Sequence, residues 1–588
     1  MEKYIGSVYE STSSIIKVKL ENVVSFEQNK EDLKVGKYLT IEEGNFNYIL
    51  ASIINVKTTE NNGDLQYFIE TQPIGSYTYD ENETLVFKQG SVNIPSPTEQ
   101  VSITKQEVID KIFSSNLNSS FYIGKLSSNK NIDYYVNGNA FFSKHLGVVG
   151  STGSGKSCSV AKIIQDICGI SDAKNLNKEE IKNSHIIIFD IHSEYYNAFN
   201  LEEKEKFNLN NLDVEKLCIP YWLMNSEELE SLFIESNEMN SHNQISQFKR
   251  AVIMSKEKHN PDKKITYDMP VYFDIREVYN FIYNLNNEVI SKIEGEVGKP
   301  KLKSGKLIED INSYLDEKYE FITPSTAAAT KASNGPFNGE FERFLTRIET
   351  KLSDKRLHFI TSPKKTDGTE FKSEDFEHIL KQFIGYINKS NITIIDLSGI
   401  PFEVLSITVS LVSRLIFDFA FHYSKFKHSK NEKNDIPFMI VCEEAHNYIP
   451  KNGGAEYNAS KKSLERIAKE GRKYGLSMMV VSQRPSEVSE TIFSQCNNFV
   501  VLRLTNINDQ NCVKKLLPDN NSSLVDVLPS LSSGEALIVG DATTIPAIIQ
   551  MDLPNPRPKS DNIDFYNEWN KNWVNIQIDD TIKKWRNE

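Results

Sequence analysis

Cysteine is scarce in this chain of 588 residues, which contains only Cys158, Cys168, Cys218, Cys442, Cys496 and Cys512. No two of them are spaced as C-x-x-C, and several stand inside apolar runs. The ten histidines likewise include no H-x-x-x-H pair. This pattern excludes a disulfide framework and a zinc module, and it favours a reducing compartment, which we expect to be the cytoplasm.

Long uncharged apolar runs are also missing. The first residues, MEKYIGSVYESTSS, include no apolar stretch of the kind that signal peptides have. The most apolar long segment, residues 400–422, contains Glu403, Arg414 and Asp418. Because charges within a bilayer are costly, we expect a buried helix here rather than a membrane span, and no membrane partner.

Positive charge is in deficit. The chain has 67 lysines and arginines against 80 aspartates and glutamates, which gives a net charge of −13. A protein that coats nucleic acid over its whole surface would be basic, so any such contact here must be confined to a groove or channel. Hydrophobic residues make up 39% and charged residues 25%. This ordinary globular balance excludes global disorder and predicts two to three domains.

Short alternating segments fill the first 90 residues. SIIKVKL, NYILASIINVK and QYFIETQPI are examples that alternate apolar and polar residues and are rich in Ile, Val, Tyr and Thr. About six such strands, separated by polar breaks, predict a small closed β-barrel over residues 1–95. The segment 91–122, with Pro95 and Pro97, is interpreted as a connection.

From about residue 123, apolar strands alternate with helical patterns. This alternation predicts a doubly wound α/β domain with a mainly parallel sheet, formed by residues 123–210 and 390–555. The predicted strands are 145–149, 185–190, 392–397, 437–442, 476–482, 499–504, 536–539 and 545–551.

Two further segments lie outside this domain. Residues 211–389 are mostly helical in character and are interpreted as a helical insertion, with a mobile loop at 323–340. A tail over residues 556–588 holds Trp569 and Trp573, four positions apart, and Trp585. The spacing predicts that the first two share one helix face, which we interpret as docked on its own chain or on a neighbouring subunit.

Residues 150–157 read G-S-T-G-S-G-K-S and match G-x-x-x-x-G-K-[ST] in full, between an apolar strand and a helix. In this pattern the glycines let backbone N–H groups point at phosphate oxygens, Lys156 binds the β- and γ-phosphates, and Ser157 binds Mg²⁺. We therefore expect ATP and Mg²⁺ as cofactors. The predicted nucleotide-binding residues are Gly150, Ser151, Thr152, Gly153, Ser154, Gly155, Lys156, Ser157 and Cys158.

Two glutamates follow the buried strand IPFMIVC. In a Walker B pair the first carboxylate holds the Mg²⁺ shell and the second orients the attacking water. Glu443 takes the first position, where aspartate is commoner, and Glu444 takes the second. We predict Glu443 as a metal residue and Glu444, with Lys156, as catalytic.

The strand 476–482 ends in Gln483, which we predict to contact the γ-phosphate and to take part in catalysis. Just before that strand, a basic helix end carries Arg472 and Arg466. One interpretation is that one of them extends to the phosphate of a neighbouring subunit and acts as an arginine finger in trans, and Arg472 is the first candidate. The alternative is that both are cations at a helix C-terminus, where the helix dipole favours positive charge.

Acidic residues also follow the strand 185–190. Asp190 and Glu194 either face the nucleotide or metal, or form a plain strand-end cluster. The segment LSSGE at 531–535 is similar to the signature of transporter ATPases, but that signature precedes the Walker B strand, whereas this segment follows it. We interpret it as the turn into strand 536–539.

In this order the motifs resemble the HerA family of hexameric DNA-translocating ATPases, within the wider FtsK–HerA group. The similar segments are the N-terminal strands, KHLGVVGSTGSGKS, FDIHSEY, VCEEAHNYIP, ERIAKEGRKYGLSMMVVSQRPSEVSETIFSQCNN and GEALIVGDATTIPAIIQM. The resemblance covers most of the chain. It implies an α/β fold with a RecA-like P-loop ATPase core, an N-terminal HAS-type β-barrel, a helical insertion and a C-terminal brace.

The resemblance also implies a homohexamer with double-stranded DNA in a central channel and ATP at the subunit interfaces. Lys144 stands where family members tend to have an arginine that contacts nucleotide, which implies a nucleotide-binding role for it. Archaeal relatives work with a nuclease in DNA-end resection. Many bacterial relatives are paired with a sirtuin-like NAD-degrading protein or a nuclease in anti-phage defence, and the Asn/Lys-rich composition favours this bacterial type.

Three functions are compatible with these features. The first is an ATP-dependent double-stranded DNA translocase or helicase that works with such an effector. The second is an ATP-binding scaffold ring that assembles and activates the effector with little motor activity, which the acidic composition favours. The third, a conjugative or secretion-type pump, is disfavoured by the missing membrane segment.

Such a ring would contact the phosphates of DNA, and its affinity for DNA would fall as the salt concentration rises. Candidate loops follow the strands 185–190 and 437–442, and the second loop region includes Lys451, Lys461 and Lys462. The alternative is a solvated basic face.

Overall fold

The computed structural model describes residues 4–44, 46–61, 64–80, 84–90, 93–113, 119–170, 182–201, 207–235, 238, 240–454, 457–516, 519–559 and 563–586. The described strands form a seven-stranded sheet, an eleven-stranded sheet and a two-stranded sheet. The α-helices are α1 (Val23–Gln28), α2 (Gln106–Phe113), α3 (Gly138–Ser143), α4 (Lys156–Cys168), α5 (Tyr196–Phe199), α6 (Ser226–Phe233), α7 (Ser241–His259), α8 (Ile275–Asn287), α9 (Glu342–Ser353), α10 (His358–Thr361), α11 (Phe376–Phe383), α12 (Phe402–Ser429), α13 (Asn458–Glu470), α14 (Glu490–Gln495), α15 (Ile507–Leu516), α16 (Phe565–Trp569) and α17 (Ile578–Arg586).

The seven-stranded sheet is a closed barrel. Its strands are β1 (Gly6–Ser11), β2 (Ile16–Leu20), β3 (Tyr38–Glu42), β4 (Asn47–Asn61), β5 (Asp64–Tyr79), β6 (Leu85–Gln89) and β7 (Gln100–Ile103). The order β2-β1-β7-β3-β4-β5 closes through pairing of β2 with β5, and β6 is added to β5 outside this ring. Alternation explains the barrel: in β2, Ile16, Val18 and Leu20 are buried and the intervening lysines are not.

The barrel predicted from the sequence is confirmed, but its strands differ from the expectation. β7 lies after residue 95, in the segment interpreted as a connection, and it pairs with both β1 and β3. Its four residues, QVSI, are too few to show the period of two that identifies a strand.

The remaining strands are β8 (Ser120–Leu126), β9 (Asp133–Asn137), β10 (Leu146–Val149), β11 (His185–Asp190), β12 (Leu209–Leu212), β13 (Val289–Ser291), β14 (Ala332–Asn334), β15 (Ile392–Asp396), β16 (Phe438–Cys442), β17 (Leu476–Ser482), β18 (Asn498–Val501), β19 (Glu535–Gly540) and β20 (Ala547–Gln550). The large sheet has the order β12-β15-β11-β16-β17-β10-β18-β19-β20-β8-β9. The pairs from β12 to β18 are parallel, and those from β18 to β9 are antiparallel.

This sheet is the predicted α/β core. All eight predicted strands are present within it, with ends shifted by a few residues, whereas β8, β9 and β12 were not predicted. Both faces are covered, since alternate residues of β11 belong to different apolar clusters. That explains why strands such as HIIIFD are continuous apolar runs. The carboxyl ends of the parallel strands therefore meet at one edge, which carries the candidate site.

The described residues between β12 and β15 include α6 to α11, but long stretches without helix lie between these helices, so the segment is less helical than its sequence predicted. One expectation for it is wrong: the segment 323–340 is not simply a loop, because it contains β14, which pairs antiparallel with β13. The insertion is joined to the core by a buried ion pair. The guanidinium of Arg414, on α12, lies 2.8 Å from the carboxylate of Glu228, on α6.

Helix α12 is long and apolar enough to cross a membrane by length and composition alone. Of its most apolar window, 78% is buried inside the protein. The helix packs against α13 and α6 at the core, as expected from the charges in its sequence.

The tail differs from the expectation. α16 ends at Trp569, so Trp573 does not share its helix. Asn570 and Asn572, which compete for backbone hydrogen bonds, explain why the helix stops. Trp569 and Trp573 are 79% and 94% exposed, so neither is docked on the described part of its own chain. Docking on a neighbouring subunit stays a prediction.

Candidate active site

The glycine-rich loop 150–155 connects the carboxyl end of β10 to the first turn of α4. Gly155 caps α4 with φ 99°, a conformation that favours glycine. A Cβ at Gly150 would come within 2.6 Å of the Ser154 hydroxyl. The loop is therefore compact, and the first N–H groups of α4, from Lys156 onward, have no partner within the helix and can bind an anion.

The turn 531–535 supports this loop from outside. The Gly534 N–H donates to the Ser154 carbonyl at 3.0 Å, and a Cβ at Gly155 would come within 3.2 Å of that nitrogen. The segment is the turn into β19, as interpreted from its position in the sequence. Its contact with the phosphate-binding loop was not predicted, because no local pattern indicates it.

Three of the predicted catalytic residues meet beside this loop. The Lys156 ammonium is 3.6 Å from a carboxylate oxygen of Glu444. The Thr152 hydroxyl donates to the Gln483 side-chain carbonyl at 2.7 Å, and the backbone N–H of Gln483 donates to the Glu444 carboxylate at 3.4 Å. The reason is the strand order, since β17 lies between β16 and β10 and all three run in parallel.

Glu444 occupies an unusual backbone conformation. Its φ is 43°, in the left-handed region that costs a residue other than glycine about 1 kcal/mol. The strain directs consecutive side chains apart: Glu444 faces Lys156, whereas Glu443 lies beside Asp190 on the neighbouring strand end. Such strain is commonly stored where a side chain must be aimed at a reaction.

Glu443 is almost fully buried. Burial, together with the carboxyl groups of Asp190 and Glu194, raises its pKa well above the ordinary value. Burial also raises the pKa of Asp190, although its carboxylate accepts the N–H groups of Glu194 and Tyr195 at 3.1 and 2.9 Å. These bonds hold the turn after β11, which favours the strand-end interpretation of Asp190.

The residues fit a Mg²⁺ that arrives with nucleotide. One oxygen of Glu443, Oε2, is buried without a hydrogen-bond partner among the described residues. Ser157 lies in the first turn of α4, the position whose hydroxyl binds Mg²⁺ in this motif. Mg²⁺ keeps several waters and phosphate oxygens as ligands, so one hydroxyl and one carboxylate are a sufficient protein contribution.

One basic residue beside the core, Arg557, was not singled out from the sequence. Arg557, in the segment after β20, is close enough to Cys158 to act on its pKa, which burial raises. That segment is held on α4 by Gln165, which accepts the Asn555 N–H and donates to the Pro556 carbonyl. No motif marks Arg557.

Lys144 is not part of the phosphate-binding loop of its own chain. It caps α3, before β10, whereas the loop follows β10, so the whole strand separates the two. Its ammonium pairs with Asp541 at 2.7 Å. The nucleotide-binding role that the resemblance implies for Lys144 stays a prediction.

The two arginines of the basic helix end differ. The Arg466 guanidinium stacks on the Phe417 ring at 4.3 Å and lies 3.6 Å from the Asp418 carboxylate. These contacts favour a structural role for Arg466. Arg472 is exposed and forms no ion pair with any described residue. It precedes β17, at the sheet edge opposite the carboxyl ends. It cannot contact the phosphates of its own chain.

The lysines of the predicted DNA loops are largely paired with acidic groups. Lys451 lies 2.6 Å from Glu490, and Lys462 lies 2.5 Å from Glu227. These ion pairs favour the interpretation that the lysines form a solvated surface, and they disfavour a site that binds DNA phosphates.

Comparison with known proteins agrees with this architecture. Residues 121–416, which are 296 of the 588, match the family model for the central domain of helicase HerA. The chain is 24% identical over 445 residues to the DNA double-strand break repair helicase HerA of Saccharolobus solfataricus, with 75% of this chain and 70% of that protein aligned. It is 25% identical over 510 residues to the same-named protein of Pyrococcus furiosus, covering 79% and 77%.

Among solved structures, VirB4 of Thermoanaerobacter pseudethanolicus is similar with a TM-score of 0.45 and 13% identity, over 74% of this chain and 97% of that one. The family match covers half of the chain and includes the phosphate-binding loop and α4. With the loop, the glutamate and the glutamine in one place, the chain belongs to the HerA helicase family and is a P-loop ATPase.

Proposed function

We propose that this ATPase translocates double-stranded DNA as a ring of six identical subunits. The observation that carries the proposal is the separation of Arg472 from its own hydrolysis site. Lys156, Glu444 and Gln483 lie at one edge of the sheet, and Arg472 stands exposed at the other. An arginine in that position completes a site only in a neighbouring copy. The relatives named as DNA repair helicases support DNA as the substrate.

The chemistry follows from the residues at the edge. The loop N–H groups and Lys156 bind the phosphates, and Glu444 orients the attacking water. Gln483, whose side chain accepts a hydrogen bond from Thr152 of the loop, would contact the γ-phosphate. Mg²⁺, held by Ser157 and Glu443, would neutralise phosphate charge. Arg472 of the next subunit would stabilise the charge that develops during transfer.

The ring would grip duplex DNA in its channel, with phosphate contacts that do not depend on base sequence. We further propose a cytoplasmic role in anti-phage defence, with a nuclease or a sirtuin-like NAD-degrading protein as effector. The length of the chain and its Asn/Lys-rich composition, which favour the bacterial type, support this assignment.

ATP hydrolysis by the purified protein, with and without linear duplex DNA, tests the motor. We expect DNA to stimulate turnover and Glu444→Gln to abolish it. Displacement of a bound roadblock from the same DNA, measured at the same ATP concentration, reports translocation. Turnover that ignores DNA, together with no displacement, would contradict the proposal.

A scaffold ring that assembles and activates the effector with little motor activity is the second candidate. The ion pairs of Lys451 and Lys462 favour it, because they neutralise cations on a loop region that would face DNA. Glu444→Gln separates the two functions. A variant that binds ATP, assembles and still activates the effector supports the scaffold, whereas loss of activation with normal assembly supports the motor.

A further inference from the structure

His446 lies next to Glu444, the glutamate proposed above to be catalytic. Its ring nitrogen Nδ1 is 3.3 Å from Glu444 Oε2 and 3.2 Å from the Ser482 hydroxyl. The side chain is 11% exposed and that of Glu444 is 8% exposed. The other oxygen of Glu444, Oε1, faces Lys156. The carboxylate is therefore held on two sides, by the phosphate-binding lysine and by the histidine.

The contact bears on where the proton of His446 is. Nδ1 forms a hydrogen bond with the Ser482 hydroxyl and lies 3.3 Å from Glu444 Oε2. A carboxylate oxygen is only an acceptor, so this second contact is attractive when Nδ1 carries a proton. The Ser482 hydroxyl accepts the Arg484 backbone N–H at 3.0 Å and has a second lone pair that can accept Nδ1–H. Burial lowers the pKa of His446, which favours a neutral ring. A neutral ring has one N–H, and in the orientation proposed below it is on Nδ1.

Ser482 connects this pair to the rest of the site. It is the last residue of β17, its carbonyl accepts the Gly150 N–H at 3.3 Å, and Gln483 follows it. His446 thus joins the strand end that carries Glu444 to the strand end that carries Gln483. A shift of either strand end moves the two groups that contact the histidine, Glu444 and Ser482, relative to each other.

We propose that His446 is a positioning residue that holds the Glu444 carboxylate in its water-activating orientation and ties it to the β17 end through Ser482. This proposal rests on the catalytic role of Glu444 proposed above. When nucleotide phosphates attract Lys156, the contact with Nδ1 and the hydrogen bond from the backbone N–H of Gln483 keep the carboxylate in its orientation. His446 acts through Glu444 and Ser482, so we expect its effect on turnover and not on nucleotide binding.

Four variants test the proposal in the full-length protein: His446→Ala, His446→Asn, His446→Gln and Glu444→Gln. The asparagine amide nitrogen takes the place of Nδ1, whereas the glutamine amide reaches the place of Nε2. We expect the alanine and glutamine variants to lose at least about tenfold in kcat, the size of one hydrogen bond to a charged group. We expect the asparagine variant to recover most of it. His428→Ala, an exposed histidine on α12, is the matched control and should leave kcat unchanged.

Affinity for a fluorescent ATP analogue is the second readout. We expect its Kd and the KM for ATP to stay within about twofold in all His446 variants, since a collapsed site would change both. Equal losses in the asparagine and glutamine variants, or a rise in Kd that matches the loss of kcat, overturn the positioning role. Full turnover by Glu444→Gln instead overturns the catalytic assignment on which it rests, and that variant alone reveals it.

Discussion

The ion pair between Lys156 and Glu444 should make the catalytic glutamate a competitor of nucleotide. The two charged groups are 3.6 Å apart and only 10% and 8% exposed. Nucleotide binding must draw the ammonium toward phosphate. Glu444→Gln replaces the competing carboxylate by a neutral amide of the same size, so we predict that it binds ATP more tightly while it loses hydrolysis.

The size of the effect follows from the geometry. Two unit charges at 3.6 Å attract by about 5 kcal/mol at an effective dielectric constant of ~20. Desolvation of both groups offsets much of this attraction, which leaves about 1.5 kcal/mol, the usual value for a hydrogen bond to a charged group. The dissociation constant of ATP should therefore fall about tenfold.

Equilibrium titration with a fluorescent ATP analogue, at fixed Mg²⁺ and in the absence of DNA, measures this change. Glu487→Gln, an exposed acidic residue near the same strand end, is a suitable control because it keeps the Lys156 pair intact. An unchanged or weaker affinity of Glu444→Gln would show that the ion pair does not oppose nucleotide binding.

Three further results are expected. Arg472→Ala should bind ATP and assemble but not hydrolyse, and mixed rings with Glu444→Gln subunits should recover part of the turnover; no recovery would remove the support for a trans role. Lys256 is buried, and burial lowers its pKa from 10.5 to about 8. The unfolded chain therefore binds more protons between these values, and stability should rise as pH increases from 8 toward 10.5, by about 3 kcal/mol in total. Thermal melts of Lys256→Met should lack this component, and an identical pH profile would refute it. Arg414→Met should destabilise the protein by about 3–5 kcal/mol, because it leaves the Glu228 carboxylate buried and unpaired. The double variant with Glu228→Gln should recover part of that loss in denaturant unfolding, whereas additive losses would mean that the pair is not coupled.

The sequence by itself determined the parts of the site that are local. The loop 150–157 is contiguous, and its glycines and lysine specify a backbone turn and a charge without reference to the rest of the chain. Glu444 and Gln483 follow apolar runs at strand ends, and parallel strands end at a common edge. The two strand ends could therefore be assigned to one site before their order was known. The barrel and the α/β core were predictable for the same reason, since periodicity is a local property.

Only the tertiary structure decided what joins these parts. That Lys144 and Arg472 both lie at the sheet edge opposite the loop depends on the length of β10 and on the parallel pairing of β10 with β17. The contact of Gly534 with the loop and the link from His446 to Ser482 join residues far apart along the chain. A single sequence encodes such contacts through packing and hydrogen bonding of the whole sheet, and no spacing rule within one segment can express them.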